Sequence, residues 1–198
     1  MNTTEINIRQ AAIRLISRSG FESMTLRQLA NEAGVNSSAL YLYYKGKSEL
    51  LLTLVLSYLE TLSAAWEKCC PAAASADEQL RAFVAFHVRH HLLHREEAVL
   101  GNTEFRSMDK AELAIVKLAR GRHLAKLQHI LEQGVRDGSL HCDEPKLLSR
   151  TIFMTLTHAC AWYRVEGRLS LDQVIEHYCE LVLRMVGCRP HKKNKKGE

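Results

Sequence analysis

Residues 25–50 read TLRQLANEAGVNSSALYLYYKGKSEL, and this stretch decides the fold. Thr25 precedes apolar side chains at helical spacing, and Gln28 three residues later completes the signature of a capping box. Gly34 follows the apolar pattern, at a place where a helix ends and the chain turns sharply. A second short helix is predicted over residues 38–43. The sequence therefore predicts two short helices joined by a tight turn, the helix-turn-helix layout.

The second helix carries hydroxyl groups on its outward side and is followed by lysines. Hydroxyl, phenol and ammonium groups donate hydrogen bonds to phosphate oxygens, and a helix N-terminus favours the same anion. A helix that enters the major groove of DNA needs an edge of this kind. An alternative is that these side chains are packing residues and ordinary surface, which is the interpretation we prefer for Tyr44. The predicted DNA contacts are Thr25, Asn36, Ser37, Ser38, Tyr41, Tyr43 and Lys47.

The pattern TxxxLAxxAGVxxxxLYxYYxxKxEL resembles the DNA-binding segment of the tetracycline-repressor (TetR) family of bacterial transcription regulators. The resemblance covers the first quarter of the chain. This family often has a basic residue near Ser37, a glycine near Ser38 and a polar or basic residue near Leu42. The serines and the leucine at these positions imply that few direct base contacts come from this helix.

The resemblance implies an all-α fold of about nine helices. Residues 1–47 would form the three-helix DNA-binding domain, and residues 48–188 a helical domain for effector binding and dimerisation. A homodimer through the last two helices would bind a near-palindromic operator in double-stranded DNA, as a repressor that a small effector releases. The pieces TEFRSM and AWYRVEGRLSLDQV resemble, more loosely, the branch that responds to acyl-CoA thioesters and controls lipid or sterol breakdown.

The positive charge is concentrated at the two ends of the chain, within a net charge of +5. Residues 1–50 hold six basic and four acidic residues, and residues 51–188 hold 16 and 17. A mildly basic N-terminal domain suits contact with phosphates. The tail, residues 189–198, holds five basic residues and one acidic residue and is predicted to be disordered. It either adds attraction to DNA or only aids solubility.

The composition, with 46% hydrophobic residues, is ordinary for a soluble globular protein, and we expect it to stay in the cytoplasm because no signal peptide is recognised. No apolar run reaches the ~18 residues that a membrane span needs, so no membrane partner is expected. The polar N-terminus lacks the features of a signal peptide. Apolar periodicity predicts the remaining helices. They cover residues 6–19, 47–70, 77–94, 96–107, 108–135, 145–165 and 170–187.

Four histidines recur at helical spacing and leave a second hypothesis open, a metal-sensing regulator. His87, His90, His91 and His94 would lie along one helix face, where pairs four residues apart can bind one metal ion. The alternative is a polar face or the lining of a ligand cavity, which we prefer, so no metal and no cofactor is predicted. Six cysteines without a C-x-x-C spacing are read as reduced thiols, with Cys69 and Cys70 the candidates for a redox-sensing pair.

The effector pocket is predicted from apolar and aromatic side chains in the middle and near the end of the chain. Arg106 and Arg122 would meet a phosphate or carboxylate at its mouth. The alternative for each of these residues is an ordinary place in the core or on the surface. The predicted lining is Phe83, Phe86, His90, Phe105, Met154, His158 and Trp162.

Catalysis is not expected from this sequence. No nucleophile elbow, phosphate-binding glycine loop, dinucleotide-binding glycine pattern or metalloprotease motif occurs in it. An enzyme in the second domain is the least favoured of the alternatives.

Overall fold

The computed structural model describes residues 2–71 and 74–187, and all regular structure in these residues is helical. The predicted all-α fold is therefore confirmed. Counting α8 and α9 as one helix interrupted at His158 gives nine helices in the described residues, besides a short 3-10 turn at Glu104–Ser107. The helices are α1 (Thr3–Ser19), α2 (Leu26–Ala33), α3 (Ser37–Leu40), α4 (Lys47–Cys69), α5 (Ala76–Leu93), α6 (Arg95–Thr103), α7 (Lys110–Asp137), α8 (Pro145–Thr157), α9 (Ala159–Trp162) and α10 (Leu171–Met185).

Local capping groups fix where several of these helices begin. The Thr25 hydroxyl accepts a hydrogen bond from the backbone N–H of Gln28 at 3.2 Å, which forms half of the predicted capping box. Ser170 begins α10 in the same way. Asn2 accepts from the backbone N–H of Glu5, so α1 starts at Thr3 and not at the predicted residue 6. Gly34 ends α2 with a φ of +69°, a conformation that favours glycine.

Two predicted helices are shorter or more broken than expected. After Leu40 backbone N–H groups donate hydrogen bonds to carbonyls three residues earlier, as Tyr43 does to Leu40 at 3.0 Å. The predicted helix over residues 38–43 is therefore one turn, α3, followed by a turn. The predicted helix 145–165 is interrupted at His158, whose backbone and ring nitrogens both donate to the Met154 carbonyl.

The chain forms two compact units. The first runs through Ala64 and resumes over His94–Arg122, and the second comprises Ala65–Leu93 and continues from His123. In the first unit α1 packs against both α2 and α6. In the second, α5 packs against α8, α9 and α10. The predicted domain boundary at residues 47 and 48 falls inside the first unit, and the predicted tail, 189–198, lies outside the described residues.

The helix α4 is long and apolar enough to cross a membrane by length and composition alone, with a mean hydropathy of 1.2 over 18 residues. The core helix of a soluble protein passes the same test. Leu50, Leu51 and Leu62 of α4 are fully buried within the chain. We therefore interpret α4 as a core helix.

Candidate nucleic-acid interface and effector cleft

The N-terminal edge of α3 presents polar groups to the surface. Asn36, Ser37 and Ser38 are all exposed, and Asn36 makes no side-chain capping bond. Thr25 is exposed at the start of α2, and 60% of the Tyr41 side chain is accessible. Five of the seven predicted DNA contacts thus lie on open surface. The Thr25 hydroxyl donates to the Gln28 side chain at 2.9 Å, and the other four have donor groups available to phosphate oxygens.

The two remaining predicted contacts are half-buried and already hold protein partners. The Tyr43 hydroxyl accepts a hydrogen bond from the Asn2 amide at 2.9 Å, so its own proton stays available for donation. The Lys47 ammonium donates to the Glu22 carbonyl at 3.1 Å and lies 3.6 Å from the Glu22 carboxylate. It also sits 4.7 Å from the centre of the Phe21 ring. Lys47 is therefore held at the surface, at the first residue of α4, before DNA binds.

Arg9 positions the segment after α3, and sequence reasoning missed it. Its guanidinium donates to the Tyr44 hydroxyl at 2.9 Å, to Ser57 at 2.8 Å and to Glu5 at 2.7 Å. These bonds join α1, α4 and the segment that carries Tyr43. Tyr44 is buried, as expected for a packing residue, and burial raises the pKa of its phenol. The signal available in the sequence was the Glu5–Arg9 spacing of four residues on one helix.

The predicted effector residues of the second unit fall into two separate groups. Phe83 is fully buried and His90 nearly so, and the two flank the half-buried Phe86 on α5. Met154, His158 and Trp162 are exposed and do not join them. The cause is helical geometry: α8 turns Ile152, Phe153, Leu156 and Thr157 inward, so positions 154, 158 and 162 point outward. The expectation that all six line one cavity is therefore corrected.

Three buried imidazoles and a hydroxyl meet where α5, α7 and α8 pack, and we call this group the polar cluster: His87 and His91 of α5, His123 of α7 and Thr157 of α8. Ring nitrogens of His87 lie 3.3 Å from His123 Nε2 and 3.1 Å from the Thr157 hydroxyl, and His91 Nδ1 donates to the His87 carbonyl at 2.9 Å. His94 follows the end of α5 and is exposed, so the predicted row of four histidines is wrong in its last member. Sequence reasoning missed His123, although it occupies the apolar stripe of α7 four residues before Leu127.

The structure gives no support to the metal and redox alternatives. No three His, Cys, Asp or Glu side chains converge as metal ligands in the part of the chain that the structure describes. Burial raises the pKa of the Cys179 thiol to about 11 and also raises that of Cys69, which disfavours reactive thiolates. Cys69 and Cys70 are free thiols, and Cys188 lies outside the described residues.

We expect acid to destabilise the protein through His123. Burial, together with the charge on Lys126, lowers the pKa of His123 from 6.5 to about 3. Below pH 6.5 the unfolded chain binds a proton at this ring and the folded chain does not, so stability falls as the pH drops. Between pH 7 and pH 5 the His123 contribution is about 2 kcal/mol.

Urea unfolding of the wild type and of His123→Gln at both pH values measures this contribution. The variant should lose about 2 kcal/mol less than the wild type on acidification. Equal losses in the two proteins would show that His123 is not the group that titrates.

A separate cleft of about 550 Å³ lies in the first unit. Arg106 and Phe105, both predicted effector residues, line it together with Lys117 and Arg120. Arg122 is exposed on α7, the helix that carries Lys117 and Arg120, but it is not part of the lining. Lys126 is engaged with Glu67 at 2.6 Å. The four basic residues between positions 117 and 126 of α7 are therefore divided, and only Lys117 and Arg120 line the cleft.

Comparison with known proteins matches the chain in two parts. The family model described as "Bacterial regulatory proteins, tetR family" matches residues 8–54. The model "Tetracyclin repressor-like, C-terminal domain" matches residues 73–186, more than half of the chain. The chain belongs to the TetR family. The predicted DNA-binding transcription regulator is thereby confirmed.

Several TetR-family proteins align with nearly the whole chain. The HTH-type transcriptional repressor KstR2 of Mycolicibacterium smegmatis is 27% identical over 177 residues, covering 88% of this chain and 86% of that protein. The fatty acid metabolism regulator protein of Bacillus subtilis is 24% identical, covering 90% of this chain and 93% of its own length. The structure of AibR in complex with isovaleryl coenzyme A and operator DNA has the same fold, with a TM-score of 0.81 at 18% identity over 90% of this chain and 97% of that one.

Proposed function

We propose that this TetR-family protein is a cytoplasmic repressor that binds a near-palindromic operator as a homodimer and releases it when an acyl-CoA thioester binds. The observation that carries the proposal is the exposed donor edge of the helix-turn-helix, formed by Asn36, Ser37, Ser38 and Tyr41. Relatives named as repressors and as a fatty acid metabolism regulator support the direction of control and the class of effector.

The homodimer is supported by an exposed apolar face on the last helices. Large apolar side chains that stand out from α8, α9 and α10 are between 47% and 65% accessible. Trp162 and Leu181 line one cleft together. Large exposed apolar side chains on neighbouring helices suit a protein interface, and self-association would make it two-fold symmetric. This dimer face consists of Leu147, Met154, Trp162 and Leu181.

The homodimer gives the DNA complex its geometry. Two recognition helices related by the two-fold axis enter successive major grooves about 34 Å apart, which requires a near-palindromic site. The effector must bind more tightly to an arrangement in which this spacing is lost, because a ligand shifts an equilibrium only through its different affinity for the two states.

The DNA part is tested on an operator selected from random duplexes with the purified protein. Tyr43→Ala and Lys47→Ala should weaken binding to all sequences. Loss of one Lys47 phosphate contact in each subunit of the homodimer should flatten the slope of log K against log salt by up to about 1.8. Arg18→Ala, which removes an exposed charge from the end of α1, is the matched control and should keep the slope. Wild-type affinity and slope in both test variants would overturn the docking model.

The effector part is tested by thermal shift with acyl-CoA thioesters of several chain lengths. A thioester at ~100 times its dissociation constant should stabilise the protein by about 2.7 kcal/mol. Matching fatty acids and zinc serve as controls. A shift with thioesters that also lowers operator affinity supports the proposal, whereas a shift with zinc alone would replace it with the metal-sensing alternative.

A further inference from the structure

Leu42 is the most accessible large apolar residue in the described ranges 2–71 and 74–187, with 83% of it exposed. A single exposed leucine is ordinary on a protein surface. Leu42 is informative because of its place, in the turn that follows α3 and next to Tyr41, which is 60% exposed. A large apolar group therefore stands on the edge that we assign to DNA.

Helical geometry turns Leu42 away from the core. Leu40 and Tyr44 are buried, at 2% and 7% exposure, and Leu42 lies two residues from each of them. Tyr41 keeps helical backbone angles, with φ of −70° and ψ of −12°, so successive residues remain roughly 100–120° apart around the turn. Leu42 therefore points to the side opposite Leu40. Ser38, two residues before Leu40, is exposed for the same reason, so Ser38 and Leu42 share the outward side.

The polar groups beside Leu42 suit contact with duplex DNA, but most of them discriminate little between bases. The Ser37 and Ser38 hydroxyls are exposed, and a hydroxyl both donates and accepts, so it can bond to either kind of base edge. The Tyr41 phenol suits a phosphate oxygen. Of these four donors at residues 36–41, the Asn36 amide alone matches one base, adenine, through two hydrogen bonds. Hydrogen bonds from this edge therefore position the protein more than they select a sequence.

The leucine side chain can recognise one feature of the major groove. It has no hydrogen-bonding group, so the donors and acceptors of the base edges offer it nothing. The C5-methyl group of thymine is the apolar group that a base presents in this groove, and apolar side chains contact it. Cytosine presents an amino group at the same edge, and a leucine would remove its water without replacing the hydrogen bond. A leucine held against the base edges therefore favours a T·A pair.

We propose that Leu42 selects the operator by packing on the C5-methyl group of one thymine in each half-site. The inference rests on the proposed function and deepens it by naming a base pair that the operator must contain. Because Leu42 is exposed in the free protein, DNA binding removes both the side chain and the methyl group from water. This gain is made only where the methyl group is present, so the contact contributes specificity as well as affinity.

The first test removes the methyl group from the DNA and changes nothing else. An operator is selected from random duplexes with the wild-type protein, and each of its thymines is replaced in turn by deoxyuridine, which pairs as thymine does. At one fixed salt concentration, one thymine in each half-site should be sensitive. Affinity should fall about fourfold for one replacement and about 15-fold for both, the effect of one or two buried methyl groups. Leu42→Ala should bind the thymine and deoxyuridine forms equally well.

The second test puts the methyl group back on a different base. The sensitive T·A pair is changed to C·G, and the cytosine is then replaced by 5-methylcytosine, which carries its methyl group at the same ring position. Methylation should raise the affinity of the wild type about fourfold. It should not change the affinity of Leu42→Ala.

Leu118→Ala is the matched control. Leu118 is 61% exposed and lies on α7, outside the helix-turn-helix, so its substitution should leave the deoxyuridine sensitivity unchanged. Circular dichroism melting checks that Leu42→Ala remains folded, as we expect from the exposure of Leu42.

The outcomes separate the inference from the proposed function. If the wild type selects an operator in which no thymine is sensitive, the inference is overturned and the proposed repressor stands. If the sensitivity persists in Leu42→Ala, another side chain reads the methyl group, and the inference is likewise overturned. If the protein selects no sequence from random duplexes, both are overturned.

Discussion

Phe83→Ala should lower the free energy of unfolding by about 3–5 kcal/mol. The Phe83 ring is fully buried and stands edge-on to Trp66 at 5.0 Å between ring centres. It also stacks on His123 at 5.2 Å and on His87 at 5.7 Å. Truncation removes the apolar burial of the ring and leaves a cavity beside the polar cluster, whose rigid imidazoles cannot collapse into it.

Denaturant unfolding of the wild type, Phe83→Ala and Phe86→Ala measures this effect. Phe86 lies on the same helix but is only half-buried, so its truncation should cost less. If Phe83→Ala lowers the free energy of unfolding by less than about 1.5 kcal/mol, Phe83 is not a core residue and becomes a candidate effector contact again.

The double variant Trp162→Asp/Leu181→Asp should be monomeric and should bind the operator at least about 100-fold more weakly. Both side chains are close to half-accessible, and Trp162 donates from its indole to the Tyr178 hydroxyl at 3.3 Å. Carboxylates placed on both sides of a two-fold interface repel each other and lose hydration there. A monomer then reaches only one half-site, so the two sites no longer reinforce each other.

Sedimentation velocity and operator titration test this variant. Leu93→Asp provides the control, because Leu93 is also an exposed leucine of the second unit but does not lie on the dimer face. It should remain dimeric and bind DNA normally. A dimeric Trp162→Asp/Leu181→Asp protein would show that the subunits meet through another surface.

The starts of α2 and α10 were predictable from the sequence because capping is local, whereas the Asn2 cap of α1 was missed. Thr25 with Gln28, and Ser170 with Gln173, form their capping boxes as expected. Helix interruptions were not predictable in this way. At His158, where the helix is interrupted, a ring nitrogen also bonds to the Met154 carbonyl, and apolar periodicity contains no sign of that bond.

The candidate sites show the same contrast between local and tertiary information. The exposed edge at Asn36–Ser38 was predictable, because it follows from the position of a single cap and a single turn. The effector lining was not, because it depends on which face of α8 meets α5, and the periodicity of α8 alone allowed Met154 to face either way. His123 and Arg9 were missed because each is a polar residue whose partners lie on other elements.

The contacts of Lys47 have a consequence for how the protein searches a chromosome. Its charge is already shared with Glu22 in the free protein, so contact with an arbitrary stretch of duplex expels fewer cations than the number of basic side chains suggests. We therefore expect random sequence to retain the protein less firmly than it would if Glu22 were absent. Glu22 competes with DNA phosphates for the Lys47 ammonium. This competition should shorten each non-specific encounter with DNA, so the protein can sample more sites in a given time.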